Sequence, residues 1–157
     1  MATFEKVNFE LKPVEEPRGR IRCILDDGAY MPVKGHWEDA GIDLRTPCEI
    51  MLRRGSSVAI DTNVRMDIPC GYYGKIEGKS GLNVKHGIVS LGGVIDAHYA
   101  GTIVVKLYNF GDEDYRFAAG DKIAQLIIQP CETPILELEF VQDDSPRGDA
   151  GFGSTGK

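Results

Sequence analysis

Thr102-Ile103-Val104-Val105-Lys106-Leu107-Tyr108-Asn109 is a short apolar, alternating run, with Gly101 before it and Gly111 just after. Runs of the same kind occupy residues 7–11, 21–25, 58–60, 64–68, 72–77, 88–91, 123–129 and 135–140, with Gly, Pro, Asp and Asn in the gaps. Short strands spaced this way, each closed by a turn residue, read as an all-β barrel or sandwich. Helical periodicity is almost absent. The one expected helix is a turn or two beginning near Ser80 (SGLNVKHG), with Ser80 as its N-cap. Residues 26–41 read as an extended loop, and residues 143–157 as an arm leaving the body after a last strand that ends at Phe140.

The chain has 157 residues, enough for one domain with a full core at 1–142 and the arm at 143–157. Its 42% hydrophobic and 27% charged fractions and 19 glycines suit a soluble, turn-rich protein. No apolar run approaches membrane-spanning length and the first residues (MATFEKVNFELKP) carry charges, so a cytoplasmic location and no membrane contact are expected. Cys23, Cys48, Cys70 and Cys131 form no CxxC pair, and His36, His86 and His98 have no metal-ligand spacing. A net charge of −6 argues against a nucleic-acid groove. An anionic ligand must then be held by a few local cations or by a metal ion.

The arm carries the densest chemistry. Arg147-Gly148-Asp149-Ala150-Gly151-Phe152-Gly153-Ser154-Thr155-Gly156-Lys157 combines glycines with cations, hydroxyls and one aromatic ring, a composition suited to closing over a phosphate. As an unanchored end it is expected to be mobile until a ligand orders it. It is not a P-loop: Gly151 to Lys157 nearly matches GxxxxGK[ST] but lacks the final hydroxyl residue and the following helix. Four further segments pair glycine with a polar or charged residue: Ala40-Gly41-Ile42-Asp43-Leu44, Gly78-Lys79-Ser80-Gly81-Leu82, Gly93-Val94-Ile95-Asp96-Ala97-His98-Tyr99-Ala100-Gly101, and Gly120-Asp121-Lys122-Ile123-Ala124-Gln125-Leu126. In the third, Asp96 follows strand-like residues and opens a tight turn, so its carboxylate is expected at a hairpin tip with Tyr99 close by.

In order and wording these five segments resemble the motifs of the homotrimeric dUTP diphosphatases, or dUTPases: AGxDL, G[RK]SG, GxIDxxYxG, Gx[RK]xAQ and RGxxGFGSTG. The resemblance covers residues 40–156 and leaves the first 39 poorly matched. It implies a distorted jelly-roll-like β-barrel, with each active site built from three subunits and the arm of one copy closing over a neighbour's site. The reaction implied is hydrolysis of dUTP to dUMP and diphosphate, which keeps uracil out of DNA and supplies dUMP for dTMP synthesis.

The resemblance also implies roles. Asp96 holds and deprotonates the water that attacks the α-phosphorus. Tyr99 packs on the deoxyribose and rejects a 2′-hydroxyl. The hairpin from Gly93 through Val94 and Ile95 to Val104 reads uracil with backbone groups. Lys79, Ser80 and Gly81 bind the α and β phosphates, Ser80 stabilising the leaving diphosphate, and Gln125 positions phosphates and water. Arg147, Gly153, Ser154 and Thr155 reach the γ-phosphate region while Phe152 covers the base. Mg²⁺ is held mainly by the triphosphate and water. Asp43 either approaches that ion through water or braces neighbouring turns.

Three features depart from the family pattern. Lys79 replaces the more frequent arginine, keeping the charge but losing the bidentate fork. Ser90-Leu91-Gly92 lacks the asparagine that some members turn to uracil, and the chain ends one residue after the last motif. The rival readings are a dCTP deaminase-like enzyme and a nucleotide-gated regulatory protein on the same scaffold. Against the deaminase stand Lys106, where those enzymes carry a catalytic glutamate, and the presence of the arm.

Overall fold

The run that opens the argument forms the central strand of a three-stranded sheet in the computed structural model, which describes residues 19–138. Eleven strands and one helix follow in order: β1 Arg22–Leu25, β2 Ile42–Arg45, β3 Ile50–Leu52, β4 Ser57–Asp61, β5 Val64–Asp67, β6 Tyr72–Glu77, α1 Ser80–His86, β7 Ile88–Leu91, β8 Val94–Ile95, β9 Val104–Asn109, β10 Tyr115–Phe117 and β11 Lys122–Pro130. They pair antiparallel throughout, as sheets ordered β2-β11-β6-β8, β4-β9-β7, β1-β5 and β10-β3. The fold is all-β, as expected.

Side chains alternate across each strand, so β9 sends Val105, Leu107 and Asn109 inward and leaves Val104 and Lys106 outside. With Leu44, Leu52, Ile68, Ile76, Ile88, Ile103, Phe117, Ile123 and Leu126 these apolar residues form one core between the sheets. The inward Asn109 is tolerated because it is fully satisfied. Its Nδ2 donates to the carbonyls of Leu52 (3.2 Å) and Glu113 (2.8 Å), and its Oδ1 accepts from Gly111 N–H. No described residue has a buried side-chain polar atom without a partner.

Two expectations need correction. Ser80 is not the N-cap of α1: Lys79 is, with extended backbone (φ −89°, ψ 126°), and no side chain caps the helix. The reason lies one residue earlier, where the Gly78 carbonyl still accepts a hydrogen bond from Gln125 on β11 and holds the chain to the sheet until Lys79. The strand expected over 135–140 does not form in its described part. Ile135, Leu136 and Leu138 are 83–93% exposed and belong to no strand among the described residues. The strand expected at 7–11 and the arm at 143–157, with Arg147, Phe152, Gly153, Ser154 and Thr155, lie outside the described residues. No helix of the described residues is long and apolar enough to cross a membrane.

Candidate active site

Strand β6 carries a different chemistry at each end. At its C-terminal end β11 lies between β2 and β6, and the register sets Gln125 opposite Asp43 on one side and Glu77 on the other. Asp43 is buried there, and each carboxylate oxygen meets a lysine: Oδ1 lies 2.5 Å from Lys79 Nζ, and Oδ2 lies 2.6 Å from Lys122 Nζ. Burial pushes the Asp43 carboxyl up, but the bonds from Lys122 and Lys79 outweigh it and hold the pKa below the usual aspartate range. The carboxylate therefore stays charged and keeps two cations in place.

The same corner is locked by close packing. Gln125 Nε2 donates to the Gly78 carbonyl at 3.1 Å. Gly41 lies so near that a Cβ there would sit 2.0 Å from Gln125 Oε1, so any side chain at 41 must displace the Gln125 amide. Lys79 is held at 27% side-chain exposure, while Ser80 and Gly81 beside it are exposed. Lys122 was absent from the expected site although it occupies the cation position of Gx[RK]xAQ. What brings it to Asp43 is a register shift between Lys122 and Ala124, an irregularity that re-aims the side chain.

The third motif runs back along β6, from Gly93 beside Ile76 toward the strand's other end. Gly93 adopts φ +129°, and an added Cβ would lie 2.6 Å from that of Ile76, so glycine is required where β8 meets β6. Val94 and Ile95 pair with Lys75 and Gly74, and β8 is the edge of its sheet, leaving its outer backbone groups without a strand partner. Asp96 then opens a turn closed by Tyr99 N–H to the Asp96 carbonyl at 3.2 Å, and both side chains are exposed. The turn is not the tip of a paired hairpin. β9 pairs with β4 and β7 rather than β8, so the segment from Gly93 to Val104 crosses from one sheet to another because the core demands β9 in the second layer.

The two ends do not meet within one chain. Ile95 is level with Gly74, so Asp96 is level with Tyr73 and four residues from Glu77, about 13 Å of strand at 3.3 Å per residue. Lys79 and Ser80 lie further along the chain. The structure thus brings together Asp43, Lys79, Lys122 and Gln125 at one end of β6 and sets Asp96 and Tyr99 at the other, with Gly93, Val94 and Ile95 running between them along Ile76, Lys75 and Gly74. Among the described residues no three His, Cys, Asp or Glu side chains are grouped to hold a metal ion.

An all-β domain with a rigid cationic corner beside an exposed hydroxyl and glycine defines a protein built to take a polyphosphate. The comparisons make the class specific. The dUTPase family model matches residues 27–156. A probable deoxyuridine 5′-triphosphate nucleotidohydrolase of Schizosaccharomyces pombe is 40% identical over 132 residues, covering 84% of this chain and 94% of its own. The mouse deoxyuridine 5′-triphosphate nucleotidohydrolase is also 40% identical, over 85% of this chain and 82% of its own. A dUTPase of Staphylococcus bacteriophage 80alpha, solved with dUpNHpp, superimposes with a TM-score of 0.75 at 29% identity, covering 88% of this chain and 99% of its own. The chain belongs to the dUTPase family.

Proposed function

We infer that this protein hydrolyses dUTP to dUMP and diphosphate, through Asp96-activated water attacking the α-phosphorus, at sites shared between copies of a homotrimer. The observation that carries the shared site is the separation along β6. A base at one end of the strand and the cations at the other can serve one α-phosphate only if they come from different chains. The exposed apolar residues Ile135, Leu136 and Leu138 support assembly as well, since a neighbouring copy would remove them from water.

In such a site the roles follow from chemistry. Asp96, exposed and free to accept a hydrogen bond, positions the water and takes its proton. Lys79 and Lys122, preset by Asp43, meet the phosphates without reorganising, and the Ser80 hydroxyl donates to the leaving diphosphate. Gln125 orients phosphates and water from its fixed place against Gly78. The unpaired edge of β8 offers backbone groups in fixed directions to uracil, with Gly93 and Val104 flanking it, and Tyr99 faces the sugar. Arg147, Gly153, Ser154 and Thr155 of the arm serve the γ-phosphate, and Phe152 the base.

Mg²⁺ would lower the charge on the triphosphate. With both Asp43 oxygens engaged by lysines and no three-ligand cluster among the described residues, phosphate oxygens and water are the donors that fit it. A phi11 phage dUTPase, with a TM-score of 0.73 and 27% identity, has been described with a structural Mg(II) ion.

The test is to supply dUTP, dCTP, dTTP and UTP in turn with Mg²⁺ and to measure diphosphate and ammonia. Diphosphate from dUTP alone is expected. Ammonia from dCTP, or no turnover, would overturn the reading.

A further inference from the structure

The turn that carries Asp96 and Tyr99 is exposed at Asp96, His98, Tyr99 and Ala100. Behind it lies a cavity of about 480 Å³ lined in part by Cys23, Ile24, Met66 and His98. Polar ties hold the turn to β5, to Ile68 just beyond that strand and to Asp61 at the end of β4. At one end His98 N–H donates to the Ile68 carbonyl at 3.0 Å, and its ring lies 3.4 Å from Asp67, which Arg22 also grips. At the other end Ile103 N–H donates to the Val64 carbonyl at 2.8 Å, and Thr102 Oγ1 to Asp61 at 2.8 Å.

Between those ends, among the described residues, one side chain from outside the turn reaches its backbone. Arg65 Nη1 donates to the Ala100 carbonyl at 2.7 Å. The rest of its guanidinium is held by Asp26, with Nε 3.0 Å from Oδ2 and Nη2 2.6 Å from the same oxygen. Asp26 is itself anchored at the end of β1, its N–H donating to the Asn63 carbonyl at 2.9 Å. The planar fork allows one guanidinium to hold a carboxylate and a carbonyl at once, which a lysine cannot do. Movement at Ala100 passes directly to Tyr99, because the ring folds against the next residue: a Cβ on Gly101 would lie 2.2 Å from Tyr99 Oη.

We propose that Arg65, held by Asp26, is a positioning residue that fixes the Tyr99-Ala100-Gly101 backbone and thereby the discrimination between 2′-deoxyribose and ribose. The inference rests on the assignment of Tyr99 to the sugar. Arg65 lies outside the five motifs, and its action runs through the Ala100 carbonyl within the third.

The experiment measures kcat and KM for dUTP and UTP, with thermal unfolding, for the wild type, Arg65→Gln, Asp26→Asn and the double variant. Misplacement of a reacting group by about 1 Å can cost up to about a hundredfold, so Arg65→Gln is expected to lower the dUTP/UTP ratio of kcat/KM by about tenfold. Asp26→Asn is expected to lower it in the same direction, and the double variant to match Arg65→Gln, since both act on one tie. A wild-type ratio in Arg65→Gln, even with a reduced Tm, would overturn the proposal. Should Arg65→Gln not fold, a wild-type ratio in Asp26→Asn overturns it instead. A wild type that already accepts UTP as well as dUTP refutes the assignment of Tyr99 without any variant.

Discussion

The two ends of β6 are held in place by opposite means. At the C-terminal end the functional groups are tied to one another: a buried carboxylate grips two lysines, and a glutamine is wedged between Gly41 and the Gly78 carbonyl. At the N-terminal end the functional groups are exposed and their turn is steadied from outside, by Arg65 and by the residues around His98, across a cavity. The difference matches the work. Cations that receive a polyphosphate gain from being preset. On the proposed function, a base and a ring that meet a substrate bound largely to another copy gain from standing clear of their own chain.

The largest expected effect lies at the exposed end. Asp96→Asn should bind dUTP yet turn over about 10²–10⁴-fold more slowly, measured by single-turnover diphosphate release, while thermal stability stays unchanged because the side chain is exposed. A variant that loses stability instead would mean that the two ends are less different than their geometry implies.

At the packed end effects on activity and on stability should come together. Gly41→Ala drives a Cβ into Gln125 and should release its bond to Gly78, lowering kcat/KM by about tenfold with a parallel loss of about 1 kcal/mol. Steady-state kinetics and urea unfolding on the same sample would check both.

Asp43→Asn sharpens the contrast further. It leaves two partly exposed lysines without their carboxylate and should cost about 2 kcal/mol at pH 7. The cost has a defined pH window. The folded Asp43 pKa lies below the unfolded value of about 3.9, so its contribution is complete above that value and fades as pH falls through the lower folded one. Urea unfolding of both proteins at pH 7 and near pH 3 should therefore show the gap narrowing in acid.

Much of this arrangement is legible in the chain. Strands such as β6, β7 and β9 announce themselves because their apolar residues face one core. β2 is hidden because its inward residues include a charged one, Asp43, whose burial makes sense only once Lys79 and Lys122 are beside it. β3, β8 and β10 are two or three residues long, too short for a period to show. Residues 135–138 carry a strand-like pattern without a strand among the described residues, since a pattern records which face is apolar and not whether a neighbouring strand pairs with it. Motif wording identifies Asp96, Lys79, Ser80 and Gln125. It cannot reveal the part of Lys122, which depends on an irregular register, or that of Arg65, which acts from β5 on a carbonyl.

Sharing of each site between copies is tested most directly by complementation. Asp96→Asn and Lys79→Ala homo-oligomers should each be nearly inactive on dUTP. If the two ends of β6 serve different sites, copies mixed in equal amounts and reassembled should regain about a quarter of wild-type turnover, because that fraction of sites combines an intact end from each parent. Recovery near that level is the predicted result. A mixture no more active than its parents would contradict the account.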